Sequence, residues 1–155
     1  WLPAYTRRAR RRVILAPRFY LFDVGIAAAL ARRARIEPGS ELWGRALEHF
    51  IFMELSAYRD YKAPNLSLAY WRTTSQLGVD FILADGAVAV EVKSTRMAGD
   101  HDLRGLRAFK EEHKPRRTIL VSMDAKPRRT DDGVDILPWR VFLEELWSEN
   151  IVAAT

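Results

Sequence analysis

The stretch from Val79 to Lys93 constrains the fold of this chain more than any other segment, because it predicts a β-hairpin of fixed register. Two strand-like runs flank Asp85-Gly86, and Asp-Gly is the strongest local signal for a two-residue type I′ turn, which needs positive φ at both central positions. Counting outward from that turn places Asp80 directly opposite Glu91. The hairpin therefore brings two acids together.

The predicted hairpin has one apolar face and one charged face. Successive side chains of a strand point to opposite faces, so the apolar face would hold Val79, Phe81, Leu83, Val88, Val90 and Val92. Asp80, Glu91 and Lys93 would share the other face. Directly opposed β-carbons lie about 4.5–5.5 Å apart, and like charges placed there repel. Mg²⁺, bound through carboxylates, waters and phosphate oxygens, would remove that repulsion, and Lys93 would stabilise a nucleophilic water or the charge on a phosphate.

The same pattern also fits an ordinary charged strand surface. Charged residues on a strand usually form its solvated face, and Lys93 would then only offset one of the acids. Asp followed later by Glu-x-Lys is by itself a weak pattern. The functional interpretation gains weight from the register and from the helix that precedes the hairpin.

Composition limits the class of protein. A chain of 155 residues with 48% hydrophobic and 29% charged residues fits one globular domain with a sizeable core. No apolar run is long and uncharged enough to span a bilayer, so no membrane partner is expected. The absence of cysteine excludes disulfides, thiolate zinc sites and cysteine nucleophiles, and it suits the cytoplasm. Any metal must be held by oxygen or histidine ligands.

Positive charge is concentrated at the start of the chain. Residues 1–35 hold nine arginines and the single acid Asp23, whereas the whole chain has a net charge of +5. Such asymmetry is typical of a basic segment that contacts nucleic acid, with DNA favoured over RNA, or an acidic neighbour. A solvated arginine-rich arm is an equally weighted alternative. We predict that residues 1–39 form a basic segment with a short helix after Asp23, a remnant of a linker to an upstream domain, and that 40–155 form the folded domain.

Glu48 is the third acid of interest. Ser40 is predicted to cap a long helix that runs to about Tyr58. Within that helix Glu48 is spaced by three, four and seven residues from Ile51, Phe52 and Leu55. A carboxylate in line with apolar residues is costly unless it has a partner. Glu48 is therefore expected to have one.

The remaining pattern predicts an α/β fold with a mixed central sheet flanked by helices. In chain order the expected elements after the first helix are a strand over 66–72, the hairpin, a helix over about 100–113, a buried strand over 118–122, a short strand over 134–137 and a terminal helix from Pro138.

The element order and the polar positions together resemble a known superfamily. Glu48 on the first helix, Asp80 on the second strand, and Glu91 and Lys93 on the third match the αβββαβ core of PD-(D/E)XK nucleases. More narrowly, most of the chain resembles the domain of unknown function that lies C-terminal to the ATPase module in a large family of prokaryotic AAA-type ATP-binding proteins. The stretches that carry this resemblance are Pro17–Gly25, Gly44–Phe50, Tyr70–Arg72, Val79–Leu83 and Val90–Ser94.

The resemblance implies Mg²⁺-dependent phosphodiester hydrolysis on nucleic acid. Asp80, Glu91 and the carbonyl of Val92 would ligate Mg²⁺, or Mn²⁺ in its place. Glu48 would complete the acidic site, and Lys93 would act on water or phosphate. The chain departs from the superfamily pattern at Val79-Asp80, which replaces Pro-Asp, and it carries Gly78 where many relatives of the ATPase-linked domain have an acid.

Two other classes of function stay open from the sequence. One is a noncatalytic regulatory module of the ATPase that binds DNA or a protein partner. The other is a structural domain that stabilises an oligomer. The chain contains no Gly-x-x-x-x-Gly-Lys-[Ser/Thr] sequence, so any ATPase activity would belong to the upstream domain.

Overall fold

A six-stranded mixed β-sheet forms the centre of the fold. In the computed structural model, which describes residues 1–7, 9–21, 25, 37 and 39–153, the strands are β1 (Leu68–Arg72), β2 (Gly78–Leu83), β3 (Val88–Val92), β4 (Arg117–Ser122), β5 (Arg128–Arg129) and β6 (Asp135–Pro138). Their order across the sheet is β1-β2-β3-β4-β6-β5. The β1-β2, β2-β3 and β5-β6 pairs are antiparallel, and the β3-β4 and β4-β6 pairs are parallel. The predicted α/β class with a mixed sheet is confirmed.

Three helices of the described chain cover the sheet: α1 (Glu41–Lys62), α2 (Arg104–His113) and α3 (Trp139–Trp147). Ser40 caps α1 as predicted, because its Oγ accepts a hydrogen bond from the Trp43 N–H at 3.2 Å. The short helix predicted after Asp23 lies outside the described residues. No helix in the described part of the chain combines the length and the apolar character that crossing a membrane requires.

The helices lie on opposite sides of the sheet and define two hydrophobic clusters. The α1/α3 side buries apolar residues of both helices against Phe81, Leu83, Val88, Val90 and Val92 of the hairpin. The α2 side buries Leu106 and Phe109 of α2 against Ile82, Ala89 and other strand residues. Both strands of the hairpin therefore have apolar contacts on both faces, and the turn sets their register.

The register of the hairpin is confirmed. The paired residues of β2 and β3 are Phe81 with Val90, Ile82 with Ala89 and Leu83 with Val88. Ala84–Gly86 form the tight turn, in which Asp85 has a φ of 56° and Gly86 a φ of 95°. The Ala87 N–H closes the turn on the Ala84 carbonyl at 3.1 Å. Asp85 and Gly86 thus supply the positive φ values that the turn needs.

A β-bulge interrupts the alternation of β2. On the β1 side, Ala69 pairs with Ile82 and Trp71 pairs with Val79, so β2 has one extra residue between these pairs. Val79 consequently packs with Ile82 in the α2-side cluster, not on the apolar face that strict alternation predicts. Bulges re-aim side chains next to functional sites, and Asp80 lies within this one.

The N-terminal segment adds to the edge of the sheet. Tyr5 donates its N–H to the Tyr70 carbonyl at 2.6 Å, and Tyr70 donates its own N–H to the Pro3 carbonyl at 2.9 Å. Further along, Ile14 donates its N–H to the Arg72 carbonyl at 2.8 Å. These bonds satisfy the free edge of β1, which would otherwise be open to another chain.

A buried acid next to a buried histidine joins α2 to this segment. The Glu112 carboxylate accepts backbone N–H bonds from Arg10 at 2.6 Å and Arg11 at 3.2 Å, and its other oxygen contacts the Arg11 guanidinium at 2.7 Å. Burial raises the pKa of Glu112, but these hydrogen bonds outweigh burial and hold it below its usual value. Burial lowers the pKa of His113, which is surrounded by aromatic rings.

Both shifts predict a loss of stability in acid. In the unfolded chain, His113 takes up a proton near pH 6.5 and Glu112 near pH 4.5. In the folded chain, both groups take up a proton only at lower pH. The unfolding free energy therefore falls as the pH drops below about 6.5 and again below about 4.5. Urea unfolding between pH 7.5 and pH 4 measures this slope. The variant His113→Phe should flatten the part that begins near pH 6.5, while the exposed-site control His101→Gln should not. An unchanged slope in His113→Phe would contradict the prediction.

Candidate functional site

Asp80 and Glu91 meet at the open end of the hairpin, where the β2-β3 ladder ends. The Asp80 N–H donates to Glu91 Oε2 at 3.2 Å, and the Val92 N–H donates to Asp80 Oδ2 at 3.0 Å. Asp80 is 8% exposed and Glu91 is 7% exposed. Each carboxylate therefore contacts the main chain of the opposite strand. Because of the bulge, the single charged face predicted from strict alternation is replaced by this fork between the strands.

Lys93 forms an ion pair with Glu91. Its Nζ lies 2.5 Å from Glu91 Oε1, and the Lys93 side chain remains 38% exposed. Burial, followed by the charge of Asp80, raises the pKa of Glu91 well above its usual value even though Lys93 opposes the shift. Burial lowers the pKa of Lys93, but Glu91 outweighs it and the net shift is upward. The pair thus holds its protons tightly, and an added cation would compete with them.

Glu48 reaches the same site from α1. The Tyr20 hydroxyl donates to Glu48 Oε1 at 2.5 Å, which supplies one of the partners that a half-buried acid requires. Burial, followed by the charge of Asp80, raises the pKa of Glu48. Desolvation likewise raises the pKa of Tyr20, so its hydroxyl remains a donor. Glu48 and Asp80 are therefore close enough to repel each other.

Arg18 lies between these two acids and was not among the predicted site residues. Its Nη1 is 3.1 Å from Glu48 Oε1 and 3.2 Å from Asp80 Oδ1. The guanidinium also lies over the ring of Tyr70, 4.6 Å from the centroid. In the sequence, the signal was the placement of Arg18 two residues before Tyr20 in an extended segment, since that spacing puts both side chains on one side.

The ligand set predicted for Mg²⁺ is only partly assembled. Glu48, Asp80 and Glu91 supply oxygen donors, which are the ligands that Mg²⁺ prefers. Val92, whose carbonyl the resemblance implies as a further ligand, uses its N–H on Asp80 and pairs with Val121 of β4. Within residues 1–7, 9–21, 25, 37 and 39–153, however, no three acidic or histidine side chains are positioned to hold one metal ion. The donors fit Mg²⁺ in chemistry and in charge, and the Arg18 guanidinium stands in for a cation between two of them.

Several arginines of the basic N-terminal segment pair within the chain. Arg7 contacts Asp85 at 3.1 Å, and Arg11 contacts Glu111 and Glu112 at 2.8 and 2.7 Å. Arg18 contacts the acidic site as described above. Part of the positive charge that predicted a nucleic-acid contact is therefore neutralised internally, and the nucleic-acid interface stays a prediction.

Comparison with known proteins places the site within a family. The family model described as "Domain of unknown function (DUF4143)" matches residues 43–142. The chain belongs to the DUF4143 family. The part that matches DUF4143 contains Glu48, Asp80, Glu91 and Lys93, whereas Arg18 and Tyr20 precede it. No curated protein and no solved structure matches the chain.

Proposed function

We propose that this DUF4143 domain has a PD-(D/E)XK nuclease-like core and hydrolyses phosphodiester bonds of nucleic acid, DNA in preference to RNA, with Mg²⁺ or Mn²⁺ as cofactor. The observation that supports the proposal most is the fork at the open end of the hairpin. There Asp80 and Glu91 are linked through main-chain hydrogen bonds, and Lys93 contacts Glu91. An acid from α1, Glu48, faces Asp80 across one guanidinium.

Each side chain has a role that follows from its place. The carboxylates of Glu48, Asp80 and Glu91, with the carbonyl of Val92, would hold the metal. Bound there, Mg²⁺ supplies Lewis-acid activation of water and of a phosphate oxygen. The part-exposed ammonium group of Lys93 would bind a phosphate oxygen or orient the attacking water, and it would stabilise the negative charge that develops on the phosphate.

The wider context belongs to the same proposal. By its resemblance to domains that follow an ATPase module, the domain would act in the cytoplasm as part of an AAA-type ATP-binding protein, with the motor upstream. Coupling to that motor would deliver nucleic acid to the site. This placement rests on the sequence resemblance alone.

Metal binding provides the first test. Mn²⁺ is titrated into the protein, and the paramagnetic resonance signal of free Mn²⁺ reports how much is unbound. Asp80→Asn and Glu91→Gln should each bind Mn²⁺ about tenfold or more weakly than the parent. The loss of a charged ligand costs at least as much affinity as the loss of a residue that supports a ligand. Asp131→Asn, a change at an exposed loop acid, is the control and should bind as the parent does. Equal affinity in all four proteins would refute the metal site.

Cleavage is tested separately. Duplex, single-stranded and branched DNA and a matching RNA are incubated with the protein and Mg²⁺. The variant Lys93→Ala should lower the rate by about 10²–10³-fold, as removal of one group that stabilises transition-state charge does. Lys126→Ala, in an exposed loop, is the matched control. A rate that survives in both Lys93→Ala and Asp80→Asn would identify a contaminating nuclease.

A noncatalytic module that binds DNA or a protein is the second candidate. The observation that favours it is the contact of Arg18 with Glu48 and Asp80, which makes an ion-paired structural cluster without any metal. In that case the basic segment would bind phosphates, and log affinity should fall with log salt by about 0.9 for each phosphate contact. Neutralising Arg10 and Arg12 together should reduce that slope. An unchanged slope would exclude this segment from the interface.

A further inference from the structure

We propose that Arg18 is a built-in counter-ion that closes the acidic site, and that its side chain must leave Glu48 and Asp80 before a divalent cation binds. The proposal rests on the function proposed above and adds the regulation of that same site. It identifies the cation that the metal has to displace. The two acids belong to the matched DUF4143 segment, whereas Arg18 precedes it.

The geometry carries the argument. One nitrogen of Arg18, Nη1, bonds to an oxygen of each acid, at 3.1 Å for Glu48 and 3.2 Å for Asp80. A divalent cation shared by two carboxylates would have to lie in this same space. Since the Glu48 oxygen also accepts the Tyr20 hydroxyl, that oxygen already has two donors. The metal and the guanidinium therefore compete for the same lone pairs.

The charge state of Arg18 restricts what can open the site. Burial lowers its pKa, but Asp80, Tyr20 and Glu48 together outweigh burial and keep the pKa above the usual range of an arginine. An arginine side chain does not lose its proton in proteins. Loss of the Arg18 proton is therefore not a way to open the site. A competing cation, or a phosphate that draws the guanidinium away from the acids, can open it.

The backbone of Arg18 is fixed while its side chain is the part that can move. Arg18 and Leu2 exchange two backbone hydrogen bonds, at 2.8 and 2.9 Å. The Tyr70 hydroxyl donates to the carbonyls of Ile14, at 3.2 Å, and Ala16. The segment that carries Arg18 is thus attached to the sheet edge. The state in which Arg18 contacts both acids is therefore the ground state, and part of the free energy of metal binding is spent on displacing its side chain.

The test compares metal affinity in the full chain with and without the guanidinium. Arg18→Met keeps a stem of similar length and removes the charge. We expect it to bind Mn²⁺ about tenfold more tightly than the parent. In the parent, only the small fraction of molecules in which Arg18 has moved away from Glu48 and Asp80 can bind the metal, and the variant removes that limit. The control Arg12→Met removes one positive charge from the same segment at an exposed position, and its affinity should stay within about twofold of the parent.

Thermal unfolding provides a second measurement, which remains informative if Arg18→Met is less stable than the parent. Without metal, Arg18→Met should melt at a lower temperature than the parent, and Mg²⁺ should raise its melting temperature by more than it raises that of the parent. Arg18→Lys keeps a positive charge but lacks the planar guanidinium that lies over the Tyr70 ring. It should fold and bind Mn²⁺ with an affinity between those of the parent and Arg18→Met.

The outcomes separate this proposal from the proposed function. If the parent, Arg18→Met and Arg18→Lys bind Mn²⁺ equally well while Asp80→Asn does not bind, the metal site stands and the role of Arg18 is refuted. If none of these proteins binds Mn²⁺, the metal site itself is refuted and Arg18 is a structural ion pair. Tighter binding in Arg18→Met that Asp80→Asn abolishes supports both.

Discussion

Replacing Gly105 by alanine is expected to destabilise the domain by about 3 kcal/mol or more, although alanine is the better helix former. A Cβ added at Gly105 would lie 1.8 Å from the carbonyl oxygen of Gly78. Both groups belong to the main chain, one in the first turn of α2 and one at the start of β2. No side-chain rotation relieves that overlap, so α2 would have to move away from the sheet.

A matched control exists in α1. Gly44 is also a helical glycine, but a Cβ there would meet only the Ser94 hydroxyl, at 3.3 Å. That hydroxyl can rotate, so Gly44→Ala should stay within about 1 kcal/mol of the parent and could gain from helix propensity. Urea unfolding of the two variants measures the difference. Equal stability of Gly105→Ala and Gly44→Ala would contradict the close approach of α2 to β2.

The same variant should disturb the acidic site. Asp80 is two residues from Gly78, in the bulged part of β2, and its hydrogen bond from the Val92 N–H depends on the position of that strand. Displacing α2 would shift this segment. We therefore expect Gly105→Ala to weaken Mn²⁺ binding as well as folding, whereas Gly44→Ala should leave the affinity near that of the parent.

The hairpin was predictable because its determinants are local. Asp85 and Gly86 tolerate positive φ, and once they occupy the turn every cross-strand pair follows by counting. The need of Glu48 for a partner was also visible, since its helical spacing placed it among apolar residues. The partners themselves, Tyr20 and Arg18, were not predicted, because they come from a segment about thirty residues earlier whose path only the tertiary fold determines.

The bulge in β2 shows a second limit. Strict alternation assigns Val79 and Asp80 to opposite faces, and it assigns Asp80 and Glu91 to one shared face. The extra residue is required by the pairing of β2 with β1, a neighbour whose register the hairpin sequence does not encode. The acids still meet, but through main-chain hydrogen bonds at the end of the ladder. Contacts between elements distant in sequence thus decided the details of the site.

A substitution in the N-terminal segment should also have a large effect on stability. Leu2 is almost fully buried in the α1/α3-side cluster. Leu2→Ala should lower the unfolding free energy by about 2–4 kcal/mol, through lost apolar burial and the cavity left behind. Leu15→Ala is the control in the same segment, since Leu15 is 68% exposed and its loss should cost less than about 0.5 kcal/mol. Urea unfolding of both variants gives the comparison.

The result also tests the predicted division of the chain at residue 39. If residues 1–39 were only a linker, Leu2→Ala would unfold with the parent free energy. Because Leu2 exchanges backbone hydrogen bonds with Arg18, a folded role for Leu2 has a further consequence. The Arg18 amide should exchange its hydrogen faster in Leu2→Ala, and the loosened guanidinium should compete less well for Glu48 and Asp80. Leu2→Ala should then bind Mn²⁺ more tightly than the parent while folding less stably, a combination that general destabilisation does not produce.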